Sequence, residues 1–246
     1  MSEAETLVYG LQPVLNLLEE GSPVERIVVA RGRHGSGLRG IVDGARRRGI
    51  PVRQEDRRHL DRLSGHGDHQ GVVAWTAALP YHDAADVLAA LTSPALLLVL
   101  DGVQDPRNLG ALLRTAAAAG VHGVFIPTRG AVGLTATVIK ASAGLAGRVP
   151  VARVGNLARF LENLKARGIW VIGVEAAGKP LWGAFDLTQP VALVMGGEGG
   201  GLRPLLRRRC DVNLALPMAA GIDSLNVSVA FGIACYEVLR QRHCPG

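Results

Sequence analysis

The sequence predicts an α/β protein whose larger part is a parallel sheet covered by helices on both faces. Three observations carry this expectation. Apolar runs such as "ALLLVLDG" (95–102), "IWVIGV" (169–174) and "VALVM" (191–195) lack the polar–apolar alternation of a half-exposed strand. Between the runs lie segments with helical periodicity and helix-end signals. A glycine-rich turn, "MGGEGGGL" (195–202), directly follows one run, at the carboxyl end of a strand, where ligands bind in open α/β sheets.

In chain order, the first 76 residues read as a small alternating α/β unit. A helix at 8–20 precedes a strand at 25–30, a helix at 38–48, a strand at 50–53, a short helix at 56–63 and a strand at 71–76. "AALPYHDAAD" (77–86) reads as a linker, with Pro80 breaking the pattern. The expected boundaries are 1–77, a linker at 78–92, and a second domain at 93–246. There, a strand at 95–102 leads to a helix at 105–120, with Asp105 to cap it, Pro106 in its first turn and Gly120 at its exit. A strand "HGVFIP", a helix at 135–143, a helix at 156–167 and strands at 169–174 and 191–195 follow. "LRPLLRRR" (202–209) looks helical, "VNLALP" (212–217) is a strand, and 224–242 is a final helix with Asp223 or Ser224 as cap. From Leu225 to Tyr236 that helix is apolar or small almost all round, so it is buried on more than one side. It either passes through the domain centre or packs on a second subunit, and the dimer reading is favoured.

A hydrophobic fraction of 48% excludes a disordered chain. The longest apolar run, "PALLLVL" (94–100), is too short to span a bilayer, and "MSEAETLVYG" lacks the regions of a signal peptide, so a cytoplasmic protein without a membrane partner is expected. Cys210, Cys235 and Cys244 form no C-x-x-C pair, which supports neither a disulfide framework nor a zinc site. "GHGDHQG" (65–71) is dense in His66, Asp68 and His69 but has no partner segment with ligand spacing, and no metal is expected. The net charge is +6 and the pI about 9.8. Between Arg26 and Arg62 stand 11 Arg against four acids. That surface, with Arg46, Arg47 and Arg48 as its candidates, suits the phosphates of a polyanionic partner; a solvated charged face is the alternative.

Three segments carry polar residues that core packing does not need. In "DPRNLGALLRTA" (105–116), Leu109, Leu112, Leu113 and Ala116 cover the core, while Asn108 and Arg114 are left for a cap, the surface or a site. Glu198 sits at the centre of the glycine turn, either as a charge near a helix start or as a ligand-orienting group. In "PMAAGIDSLNVSVA" (217–230), Asn226 would occupy a first helical turn. No G-x-S-x-G supports acyl chemistry, and no G-x-G-x-x-G opens the first βα unit as a dehydrogenase would require.

These three segments, in this order, resemble the three motifs of the SPOUT-superfamily (SpoU/TrmH-type) RNA ribose 2′-O-methyltransferases. "KASAGL" (140–145) resembles a weaker fourth element, with Leu145 where Ala is usual. "VYGLQPVLNLLEEG" (8–21) and "HQGVVA" (69–74) resemble the RNA-substrate-binding domain of the bacterial 23S ribosomal RNA (guanosine-2′-O-)-methyltransferase subgroup. The resemblance implies a C-terminal SPOUT domain with a deep trefoil knot, S-adenosyl-L-methionine as methyl donor, and a homodimer with its active site near the subunit interface. By matched position, Gly196, Leu216 and Leu225 would line the cofactor pocket, with Gly197 and Met218 beside it. Arg114 would act on the ribose hydroxyl, and Asn108, Glu198, Ser224 and Asn226 would orient the reactants. The same chemistry on transfer RNA, or a non-catalytic RNA-binding homologue, is the alternative.

Overall fold

The structure is a computed structural model that describes residues 6–19, 23–33, 35–77, 79–183, 185–198, 200–220 and 222–243. Its elements begin with β1 (Thr6–Tyr9), α1 (Leu11–Glu19), β2 (Val24–Ala30), α2 (Ser36–Arg47), β3 (Val52–Glu55), α3 (Arg57–Leu63) and β4 (Val72–Thr76). They continue with α4 (Ala84–Ala89), β5 (Leu96–Asp101), α5 (Pro106–Ala118), β6 (Gly123–Pro127), α6 (Ala136–Ala141), a 3-10 turn (Leu145–Arg148), β7 (Val151–Val154) and α7 (Leu157–Ala166). The last are β8 (Trp170–Glu175), β9 (Lys179–Pro180), β10 (Val191–Gly196), α8 (Pro204–Arg209), β11 (Val212–Ala215) and α9 (Val227–His243). Two compact units emerge: Met1–Leu79 with Gly133–Arg148, and Pro80–Val132 with Val149–Gly246.

The first unit holds a four-stranded sheet in the order β1-β4-β2-β3, with β4 antiparallel to both neighbours and β2 parallel to β3. "TLVY" is a strand although the sequence pattern runs a helix from residue 8. Pairing of Thr6–Tyr9 with Thr76–Val73 overrides local preference, and α1 starts only after Gly10 (φ 105°). Arg48 closes the end of α1, its Nη1 donating to the carbonyls of Leu17 (3.2 Å) and Leu18 (2.9 Å). His69 is buried: Gly71 N–H donates to its Nδ1 (2.9 Å), so Nε2 is left to donate to Asp61 Oδ1 (2.9 Å). Within the same unit α6 packs on β1, and Lys140 Nζ lies 3.8 Å from the Tyr9 ring centroid.

The second unit holds a seven-stranded sheet in the order β7-β6-β5-β10-β8-β11-β9, every neighbouring pair parallel. Both faces are covered, as uniformly apolar strands require. On one face Leu97, Val99, Ala192 and Val194 meet Val87 of α4, Phe160 and Leu161 of α7, and Leu206 of α8. On the other, α9 packs on α5, β10 and β8. α5 has the expected ends: Asp105 accepts from Arg107 N–H (2.8 Å), Pro106 opens the first turn and Gly120 leaves at φ 68°. Several elements depart from the sequence reading, the two-residue β9 among them. β7 is an edge strand of four residues, too short to show a period, and α4 forms inside the expected linker because Asp83 caps it through Ala85 N–H (2.7 Å). α9 begins at Val227, not 224. Its cap is Asn226, whose Oδ1 accepts from Ser228 N–H (2.9 Å), and not Asp223 or Ser224. Among the described residues no helix is long and apolar enough to cross a membrane.

Candidate active site

β5, β10, β8 and β11 lie side by side and in parallel, so their carboxyl ends deliver Asp101, the glycine turn, Glu175 and Leu216 to one edge of the sheet. The glycine turn doubles back on itself there through a bridge between Gly197 and Gly201. A Cβ on Gly196 would overlap the Gly201 carbonyl and the Leu202 amide, and Gly201 itself sits at φ 63°. The glycines therefore fold a loop that no side chain would permit.

Inside this edge lies a cavity of about 670 Å³, within the size range of small-molecule sites. Gly196, Gly197, Leu216, Met218 and Leu225 all line it, as do Glu198, Ser224 and Asn226. Asn108 stands beside them through hydrogen bonds. Its Nδ2 donates to Glu198 Oε1 (2.7 Å), and its Oδ1 accepts from Asn226 Nδ2 (2.9 Å). Gln104 N–H donates to the other oxygen of Glu198 (3.2 Å). Asn108 thus joins Glu198, 90 residues further on, and Asn226, 118 residues further on, in one chain of side chains. Burial acts to raise the Glu198 pKa, but the hydrogen bonds from Asn108 and the backbone of Gln104 outweigh it and hold the carboxyl below its ordinary value. Glu198 is therefore held as part of a hydrogen-bond network with Asn108 and the Gln104 amide.

Arg114 does not join this cavity. It is exposed on α5, whose buried face is Leu109, Gly110, Leu112, Leu113 and Ala116. Arg46 and Arg47 are exposed on α2, while Arg48 is engaged with the α1 carbonyls. Cys210 and Cys235 are free thiols, each pushed up to about 12 by burial, and Cys244 lies outside the described residues.

Two features went unread in the sequence. Glu175 ends β8 in the cavity wall, its Oε2 bound by Arg207 Nε (2.9 Å) and its Oε1 buried without a hydrogen-bond partner among the described residues. Burial raises its pKa, opposed by the Arg207 charge. Asp101, its side chain fully buried, accepts from Arg203 N–H (2.9 Å) and Nε (2.7 Å) and so fixes the exit of the glycine turn. Both carboxylates close an apolar strand run, and an acid in that position is the signal that would have found them.

The comparisons with known proteins agree with this geometry. Residues 95–236 match the SpoU rRNA Methylase family, and residues 7–82 match the RNA 2′-O ribose methyltransferase substrate-binding family. The chain belongs to the SpoU rRNA methylase family. It is 46% identical over 246 residues to the 23S rRNA (guanosine-2′-O-)-methyltransferase RlmB of Xylella fastidiosa strain 9a5c, covering 98% of this chain and 99% of that protein. It is 41% identical to the putative TrmH family tRNA/rRNA methyltransferase YacO of Bacillus subtilis strain 168, over the full length of both. Among solved structures it is similar to the SpoU methyltransferase AviRb from Streptomyces viridochromogenes in complex with AdoMet, with a TM-score of 0.80, 26% identity, and 97% and 91% of the two chains covered. The SpoU-family site fits that cofactor on its own evidence. A backbone cradle of glycines, apolar walls from Val174, Met195 and Leu202, and an unspent buried carboxylate oxygen suit a nucleoside joined to an amino acid.

Proposed function

We propose that the protein is an S-adenosylmethionine-dependent methyltransferase acting on the ribose 2′-hydroxyl of a guanosine in large-subunit (23S) ribosomal RNA. The observation that carries this reading is the Asn226–Asn108–Glu198 chain at the lip of the glycine-lined cavity, in a chain that RlmB matches over nearly its whole length. S-adenosylmethionine supplies an activated methyl on a sulfonium, so the reaction needs no metal. Gly196, Gly197, Leu216, Met218 and Leu225 hold the cofactor.

The protein must place a weakly nucleophilic hydroxyl in line with that methyl. Asn108, Glu198, Ser224 and Asn226 orient the ribose, their own positions fixed by mutual hydrogen bonds. Arg114 remains protonated, so it stabilises the developing alkoxide and holds the adjoining phosphate; the 2′-hydroxyl proton passes to water as the methyl moves from the sulfonium to the ribose oxygen and the cofactor leaves as the neutral thioether. Its exposure on α5, outside the cavity wall, supports a homodimer in which a second protomer completes the site. The apolar Val229 and Tyr236, about half exposed on α9, support the same reading.

The path from β11, next to the edge strand β9, back to α9 over α5 and β10 supports the deep trefoil knot, an exception to ordinary topology. The family matches at 7–82 and 95–236 support a substrate-binding domain at 1–77 and a catalytic domain at 93–246, with Gly133–Arg148 packing in the first unit and the connection at 78–92 carrying α4. The basic surface carrying Arg46 and Arg47 holds RNA phosphates, and the reaction belongs in the cytoplasm, where ribosomal RNA is found.

Incubation with labelled S-adenosylmethionine and separated ribosomal and transfer RNAs tests the reading. Label is expected on one guanosine ribose of large-subunit RNA; label on transfer RNA alone overturns the substrate, and none on either overturns the activity. Arg114→Ala is expected to abolish transfer while cofactor affinity stays within several-fold. Undiminished turnover would remove Arg114 from the mechanism.

A further inference from the structure

On the opposite side of the glycine turn from the cofactor cavity lies a second cleft, of about 260 Å³. Asp101, Gly102, Gln104, Arg129, Glu198 and Arg203 contribute to it, and Glu198 borders both spaces. A ligand lodged here therefore reaches Glu198, which accepts from Asn108 and also lines the cofactor cavity.

The charges of the cleft decide what it takes. Asp101 is buried and bound through Arg203 Nε and Nη2 (2.7 and 2.6 Å), so that pair is neutralised and rigid. Glu198 is an anion with one oxygen accepting from Asn108 and the other from Gln104, leaving lone pairs on each oxygen. Arg129 is exposed in the loop after β6 and has no hydrogen-bond or ion-pair partner among the described residues. Two guanidiniums against two carboxylates make a cleft of zero formal charge. A phosphodiester anion would face the Glu198 carboxylate with only one guanidinium to spare. A neutral base with acceptors on one edge and donors on the other faces no such repulsion.

Resting on the proposed function, we infer that this cleft takes the guanine base of the target nucleotide and that Arg129 reads it. The guanidinium fork matches O6 and N7 of guanine, the commonest specific contact of arginine with a base. The N1–H and N2–H₂ donors then turn toward the carboxylate wall at Glu198. Adenine presents an amino donor where guanine has O6, and it would set that donor against Arg129. The enzyme thereby couples base choice to placement of the ribose, because the glycine turn with Glu198 as its side chain lies between the base cleft and the cofactor. RNA-specific proteins commonly capture a splayed-out base in this manner.

The test uses a fragment of large-subunit ribosomal RNA that carries the mapped target, made with guanosine or with 7-deazaguanosine at that position. The wild-type protein is expected to lose about tenfold in kcat/KM on 7-deazaguanosine, the worth of the N7 arm of the bidentate contact. Arg129→Ala should lose more than that factor on guanosine, both contacts being gone, and only a smaller further factor on 7-deazaguanosine, where the O6 contact alone is left to lose, with cofactor affinity by calorimetry and the unfolding temperature unchanged. Arg129→Lys, which keeps the charge but not the fork, should behave like the alanine variant. If Arg129→Ala keeps the full 7-deaza penalty, or weakens both RNAs equally and flattens the salt dependence of binding, the residue holds a phosphate and the inference fails. A wild-type protein indifferent to 7-deazaguanosine overturns it as well. A wild-type protein that methylates no RNA fails earlier, at the activity itself.

Discussion

Two polar clusters, one in each unit, use the same kinds of side chain for opposite ends. In the first unit His69 is 2% exposed, and Asp61 and the Gly71 amide take both ring nitrogens. All of its partners lie within eight residues, and nothing is left over for a ligand. In the second unit Asn226, Asn108 and Glu198 come from segments 90 and 118 residues apart, are bonded to one another and border a cavity with lone pairs to spare. A saturated, local, buried cluster holds a fold together. One assembled across the chain and left partly exposed has no folding need that a shorter route would not meet. The two clusters should therefore fail differently when broken.

The largest expected effect is on catalysis. Glu198→Ala or Asn108→Ala should lower the methylation rate about 10²–10³-fold, the usual cost of removing one preorganised polar group from a site, with little change in unfolding temperature. Single-turnover transfer of labelled methyl to RNA, set beside a thermal melt, checks both halves. Because Glu198 titrates below its unfolded value, its ionised contribution is complete above the ordinary glutamate range and fades as pH falls through the lowered value. Any difference in melting temperature between wild type and Glu198→Gln should therefore be flat near neutrality and shrink only in acid. A gap that changes between about pH 6 and 8 would contradict the assigned cause.

Next in size is the structural cluster. His69→Ala leaves Asp61 and the Gly71 amide without their partner and should cost about 2–4 kcal/mol in the stability of the first unit. Transfer of methyl by protein that remains folded should fall far less than in the Glu198 variant. A rate loss of about a hundredfold without loss of stability would put His69 in the site and dissolve the contrast between the clusters.

How far each cluster could be read from sequence follows from the range of its contacts. α5 declares itself locally, through Asp105, Pro106 and Gly120, and the apolar strands declare a two-sided sheet without reference to anything distant. The glycine turn is legible for the same reason, since its own backbone demands the residues. What is long-range is not legible. β1 becomes a strand only because β4 lies beside it. The α9 cap is local, but Asp223, Ser224 and Asn226 are all competent caps, and their types alone leave the choice open. Asn108 and Glu198 could be nominated from composition and motif, but their hydrogen bond could not. Arg129 had no signal at all: a lone basic residue in a loop gains meaning only from the cleft that Asp101 and Glu198 build around it.

The smallest expected effects divide three adjacent arginines. Arg46, Arg47 and Arg48 look alike in sequence, yet only Arg48 donates to the carbonyls that end α1. Replacing Arg46 and Arg47 by Ala should leave the melting temperature in place and reduce the salt slope of RNA binding by about 0.7–0.9 for each phosphate that is no longer neutralised. Arg48→Ala should instead cost about 0.5–1.5 kcal/mol of stability, as two partly exposed helix-end hydrogen bonds disappear. Its effect on the salt slope should be the least of the three, because the guanidinium is already directed at Leu17 and Leu18. A slope that falls equally for each arginine, with no stability cost at Arg48, would show that the basic surface acts as a uniform field and that the hydrogen bonds to α1 are incidental.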